Sequence, residues 1–150
     1  MYRGDLMMDE GFKRIILLDH YSHARNRGLL DDDRYRLVHN ASDSCIDDIK
    51  VQIKLTDDTI DDVRFDGIGC TISTASTSIM SELIKGKTRE EALEIIENYY
   101  HMLKEEPYDE DLLEEANAFD TLYRQPNRIK CGTIGIRAME EIIRKSYGSE

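Results

Sequence analysis

The chain has no tryptophan, only two prolines and only three cysteines among its 150 residues. An odd number of cysteines argues against a disulfide scaffold, and no apolar stretch behind basic residues suggests a secretory signal. A cytoplasmic protein with reduced thiols is the expectation. Cations are outnumbered, with 20 Lys and Arg against 31 Asp and Glu and a net charge of −11. Nucleic acid is therefore a poor partner, because binding it takes clustered positive charge. Aromatics make up only 7%, too few to indicate a base-stacking platform. No run approaches the ~20 apolar residues of a membrane span, so no membrane partner is expected. Internal repeats and low-complexity segments are absent. The length suits a single domain over residues 1–150, with residues 1–8 a loose N-terminal tail. Short basic clusters at Lys13-Arg14, Arg25–Arg27 and Arg124–Lys130 read as solvated surface.

What is present is strong periodicity. Asp9 predicts the cap of a helix with Phe12, Ile15, Ile16 and Leu18 as its apolar positions. Asn26-Arg27-Gly28 predicts a turn. Tyr35, Leu37 and His39 suggest a first strand. Ile49, Val51, Ile53 and Leu55 alternate with polar residues and predict a second, which returns after Asp57-Asp58 along Thr59–Asp66. Helices are predicted from Thr71 to Lys85, stopped by Gly86, and onward from a capping box at Thr88 and Glu91 until Pro107. A shorter helix is expected over Asp109–Tyr123, and a last one from Cys131 to Tyr147. Met80, Met102 and Met139 sit among apolar residues and read as core. Strands followed by helices in a block argue for an α+β fold: a three-stranded antiparallel sheet packed against helices.

The cysteines fall at predicted element ends. Cys45 opens the second strand, with Asp47 two residues on. Cys70 follows Gly67-Ile68-Gly69 and precedes a helix rich in small residues. Cys131 follows the Pro126 loop at a helix start. Helix N-termini favour thiolate over thiol, and Arg128 and Lys130 add positive charge beside Cys131. Three thiolates and one carboxylate make a plausible tetrahedral zinc site. Asp48 is a second acidic candidate. The histidines carry no comparable pattern: His20 and His23 lie one turn apart, His39 precedes Cys45, and His101 sits on a helix. All four read as surface or packing residues.

The residues around these cysteines resemble the IscU/SufU family of iron–sulfur cluster assembly proteins, over about residues 10–147. Leu18-Asp19-His20-Tyr21 and Arg25-Asn26-Arg27-Gly28 are similar to its N-terminal helix and turn. Cys45-Ile46-Asp47 falls at the first cysteine motif, and the run from Phe65 to Ser76 is very close to the second. Arg128-Ile129-Lys130-Cys131 resembles the third. Lys130 stands where IscU-type members usually have histidine, and the extra segment near Asp109–Tyr123 is similar to an insertion of the SufU type. Two positions depart from the pattern. Ile46 replaces a glycine, which bears on the placement of Asp47, and Ala24 replaces a proline, which should loosen the turn.

The SufU-type resemblance implies zinc held by Cys45, Asp47, Cys70 and Cys131. It implies Cys45 as acceptor of persulfide sulfur from a SufS-type cysteine desulfurase, with a partner histidine taking the vacated metal position. Arg128 is the candidate partner contact. Downstream partners would be cluster assembly or apo iron–sulfur proteins. Whether such a chain counts as an enzyme, a zinc-dependent sulfurtransferase, stays open. The alternatives are an IscU-like scaffold carrying a transient [2Fe–2S] cluster on the same residues, and a structural zinc module without chemistry.

Overall fold

The computed structural model of the chain describes residues 9–41 and 46–148. The expected tail at residues 1–8, and Cys45, lie outside the described residues. Strands β1 (Tyr35–Ala41), β2 (Asp48–Thr56) and β3 (Thr59–Ile68) form an antiparallel sheet in that order. Helices α1 (Glu10–Ser22), α2 (Thr71–Ile84), α3 (Arg89–Leu103), α4 (Glu110–Leu113) and α5 (Pro126–Gly148) complete an α+β fold. The meander follows from the period-2 pattern. Val38 pairs with Val51 and Val51 with Phe65, so one face carries Ile49, Val51, Ile53, Val63 and Phe65, all buried. Burying each such side chain contributes roughly 1.5–3 kcal/mol.

Helices α2 and α5 pack on one another. α5 lies against β1 and β2, while α2 lies against β3 and α1. The three methionines are in the core as expected, as are Ile79, Ile96, Ile134, Ala138 and Ile142. The capping box at Thr88 and Glu91 is formed in both directions. On the outer face, Gln52 exchanges hydrogen bonds with the backbone of Leu30, drawing the loop after Gly28 over the sheet. The Asn26–Gly28 turn lies along β3: Gly28 N–H donates to Phe65 O at 2.8 Å and Phe65 N–H to Asn26 O at 3.0 Å. Next to it, Arg25 N–H donates to Ser78 Oγ at 2.8 Å and its guanidinium pairs with Asp19 at 2.7 Å.

Four expectations are corrected. On α1, Asp9 caps Phe12 N–H as expected, yet Phe12, Ile15 and Leu18 are exposed and the buried residues are Lys13, Ile16 and His20. Polar partners decide the helix's rotation. Lys13 pairs with Asp120 at 2.6 Å. His20 bridges Ser78 Oγ and Glu115 Oε1, each at 2.8 Å. The Glu115 carboxylate can only accept, so Nε2 carries the proton toward it, and in that neutral tautomer Nδ1 accepts from the Ser78 hydroxyl, whose oxygen also accepts from Arg25 N–H.

The basic clusters are likewise more than solvated surface: Lys13 is buried, Arg25 holds a turn, and Arg27 donates to Gly67 O at 2.6 Å. The expected helix over 109–123 is broken into α4 and two 3₁₀ turns, Glu114–Phe119 and Leu122–Arg124. Glu114 has a left-handed φ of 43°, and the Asn117 amide takes the carbonyls of Glu110 and Glu114, which competes with regular helix. Finally, α5 starts at Pro126 rather than at Cys131. Proline suits a helix's first position because its missing N–H needs no partner there.

Candidate metal centre

Cys70 is the N-cap of α2, with extended backbone, and its Sγ accepts from Ser73 N–H at 3.5 Å. The strand before it must come very close to β2. Gly67 has φ +127°, and a Cβ there would collide with Asp48 O and lie 3.1 Å from Ile49 Cα. Only glycine fits such an approach. This brings the start of β2 against the start of α2. Asp47 is buried there, 1% exposed, and its Oδ1 accepts from Cys70 N–H at 3.0 Å and from Ser73 Oγ at 2.8 Å. A carboxylate at a helix N-terminus is favoured by the free N–H groups and the dipole.

Cys131 arrives from the other side. It is buried on α5, inside the helix rather than at its free end, so the argument from unpaired N–H groups does not apply to it. Asp47, Cys70 and Cys131 each offer a ligand atom within 4.8 Å of the others. Arms of about 2.3 Å to sulfur give tetrahedral edges near 3.8 Å. The spacing and the S, S, O donor set therefore fit a zinc-sized ion with small adjustments. Cys45, the fourth residue of the expected set, lies outside the described residues.

The electrostatics favour thiolate. Burial pushes the Cys70 thiol up, and so does the neighbouring Asp47 charge, but hydrogen bonds from the Ser73 N–H and hydroxyl, with one involving Cys131, outweigh both and hold the pKa below the ordinary thiol value. Arg128 Nη2 lies 3.9 Å from Cys70 Sγ. Burial lowers the pKa of Arg128, but hydrogen bonding and charge from Cys70 and Cys131 raise it overall. Its Nε is buried and has no hydrogen-bond partner among the described residues. Lys130 is exposed.

Other candidates go elsewhere. Asp48 pairs with His39, so neither joins the cluster. His20 is consumed in the contacts described above, His23 is exposed beside Asp19, and His101 lies near Glu97 and Glu106. Ile46 is 67% exposed while its neighbour Asp47 is fixed. Ile46→Gly is accordingly expected to leave metal content unchanged and to shift stability by no more than about 0.5 kcal/mol; a fall in bound metal would show that the side chain shapes the site. Ser73 is the residue sequence reasoning passed over as merely small. Its place three residues after an N-cap was the available signal.

Comparison with known proteins bears on this arrangement. The model of the NifU-like N-terminal domain matches residues 13–132. The chain is 36% identical to the zinc-dependent sulfurtransferase SufU of Bacillus subtilis, over 90% of its length and 91% of that protein. It is 34% identical to the iron–sulfur cluster assembly scaffold protein IscU of Streptococcus pyogenes, over 90% of its length and 84% of that protein. Among solved structures, the SUF-system iron–sulfur cluster assembly scaffold protein from Fervidobacterium islandicum superposes with a TM-score of 0.76 at 31% identity. That match covers 83% of this chain and 91% of the other.

Proposed function

The chain belongs to the family of the NifU-like N-terminal domain, the family of the iron–sulfur cluster assembly proteins SufU and IscU, and from that premise we propose that it works as a SufU-type sulfur acceptor. Its metal is zinc, held by Cys45, Asp47, Cys70 and Cys131. The observation that carries this reading is the convergence of Asp47, Cys70 and Cys131 within 4.8 Å at the N-terminus of α2. Lys130 in place of the histidine common in the IscU type supports it, as does the broken helical segment after Pro107. Cys45 precedes Asp47 by two residues in the sequence and supplies the fourth donor in this reading.

Zinc, when bound, keeps its thiol ligands deprotonated at neutral pH. Cys45 is the reacting thiol. Its thiolate attacks the outer sulfur of a persulfide on a SufS-type cysteine desulfurase. A new S–S bond forms on Cys45, the donor's S–S bond breaks, and the donor cysteine leaves as thiolate. No external oxidant or reductant is needed. Asp47 is the fixed carboxylate, Cys70 and Cys131 are anchors, and Arg128 beside Cys70 is a contact for the incoming partner. Downstream acceptors are cluster assembly or apo iron–sulfur proteins. No helix among the described residues is long and apolar enough to cross a membrane, and a reducing cytoplasm suits free thiols.

Metal analysis of the purified protein tests the reading. About one zinc per chain is expected, lost or much weakened in Asp47→Ala; full retention in the variant would remove Asp47 from the ligand set. The same donors also suit a nascent [2Fe–2S] cluster as cargo, and the likeness to the Streptococcus pyogenes scaffold favours that second reading. Anaerobic reconstitution with iron and sulfide separates the two. A stable chromophore passed to an apo-acceptor would favour the scaffold. A purely structural zinc role is excluded if chelation leaves the Tm unchanged.

A further inference from the structure

Three buried hydroxyls on α2 bond back to their own helix. Ser76 donates to Ser73 O at 3.2 Å, Thr77 to Ser73 O at 2.7 Å and Ser81 to Ser78 O at 2.6 Å. Such back-bonding is the ordinary way a helix satisfies a buried serine or threonine. Ser73 differs. Its hydroxyl is fully buried and lies 3.2 Å from Cys70 O but 2.8 Å from Asp47 Oδ1 on the neighbouring strand end. One proton cannot serve both acceptors well, and a hydrogen bond to a carboxylate is the shorter and stronger kind. Asp47 Oδ1 already accepts from Cys70 N–H at 3.0 Å. Two donors therefore converge on one carboxylate oxygen, from different directions along the first turn of α2.

We propose that the Ser73 hydroxyl is a positioning group for metal binding, pinning Asp47 Oδ1 together with the Cys70 N–H so that the carboxylate meets the metal in one orientation and does not swing to chelate through both oxygens. The proposal rests on the metal reading above and deepens it. Residues that orient a ligand from behind typically contribute ten- to a hundredfold in metal affinity. The Ser73 N–H, which holds the Cys70 sulfur, survives replacement by alanine; Ser73→Ala removes the hydroxyl, and the Asp47→Ala background separates its hold on Asp47 from its smaller contribution at the Cys70 thiol. Gly69 supports the same geometry, since a Cβ there would run into Ser73 Oγ and lie 3.2 Å from Thr74 Oγ1.

The test compares wild type, Ser73→Ala, Asp47→Ala and the double variant, using chelator competition for zinc and the visible spectrum of the cobalt-loaded protein. Circular dichroism checks that each variant is folded. Ser73→Ala is expected to weaken zinc about tenfold or more and to reduce the intense bands of four-coordinate cobalt as Asp47 gains freedom to chelate. In the Asp47→Ala background, removing the hydroxyl should change affinity less than about twofold, because the group it positions is gone. An unchanged affinity and cobalt spectrum in Ser73→Ala would overturn the proposal. So would an equal loss in the Asp47→Ala background, which would mean that Ser73 acts through Cys70 or the helix. Wild-type protein that binds neither metal would bring down the metal reading itself, and this inference with it.

Discussion

Cys70→Ala and Cys45→Ala are expected to fail differently: the first loses the zinc, the second keeps enough metal to stay folded but takes up no sulfur. Cys70 does two jobs that alanine cannot. It offers a ligand atom beside those of Asp47 and Cys131, and it caps α2 by accepting Ser73 N–H. Losing a cap costs about 1 kcal/mol. Losing a ligand bound at a thousand times its Kd removes roughly 4 kcal/mol of stabilisation. Chelator should therefore lower the Tm of wild type markedly and that of Cys70→Ala hardly at all, with zinc content in the variant near zero. About one zinc per chain in purified Cys70→Ala would refute its role as an anchor. For Cys45, uptake of labelled persulfide sulfur from a matched SufS-type desulfurase should fall to background in the alanine variant. Uptake equal to wild type would place the acceptor elsewhere.

Gly135→Ala should destabilise the protein although it adds only one methyl to a helix. Alanine is intrinsically better in a helix than glycine by about 1 kcal/mol, so propensity alone predicts stabilisation. Packing reverses the sign. A Cβ at Gly135 would overlap Thr77 Oγ1 and come within 2.8 Å of its Cγ2 and 2.9 Å of its Cβ. Thr77 cannot rotate clear cheaply, because it is fully buried and its hydroxyl is held by Ser73 O at 2.7 Å. The helices must separate or distort. Overpacking of this kind typically destabilises by about 1–3 kcal/mol net, or roughly 3–10 °C in Tm for a chain of this size. Thr77→Ala should recover part of the loss when combined with Gly135→Ala. A Tm at or above wild type for the single variant would show that α2 and α5 have room to give. Because Thr77 is bonded to the same residue that touches Asp47 and Cys70, the strain should also weaken metal binding.

Local signals made most of the fold legible. Alternation along Ile49–Leu55 and Thr59–Asp66 sufficed for the meander, since a half-buried strand needs that period. Thr88 with Glu91, and Gly86 with its positive φ of 85°, marked helix ends through backbone chemistry that acts within a few residues. Where the decisive partner was distant, sequence reasoning chose wrongly. The face that α1 buries was set by Ser78, Glu115 and Asp120, none of which its apolar pattern could reveal. The segment after Pro107 had helical composition, yet the Asn117 side chain competes for the carbonyls that a regular helix would use.

The cysteines show the same division. Their identities, the flanking glycines and the motif around Cys70 were enough to mark residues worth linking, because thiol chemistry and glycine's conformational range are properties of single residues. Only the tertiary structure decided that Asp47 turns inward while Asp48 turns to His39. It alone carried Cys131 on the body of α5 to the start of α2, and gave the Ser73 hydroxyl a carboxylate to hold. Those outcomes depend on which strand meets which helix, and a distance between residues far apart in the chain exists only once the core has closed around Gly67 and Gly135.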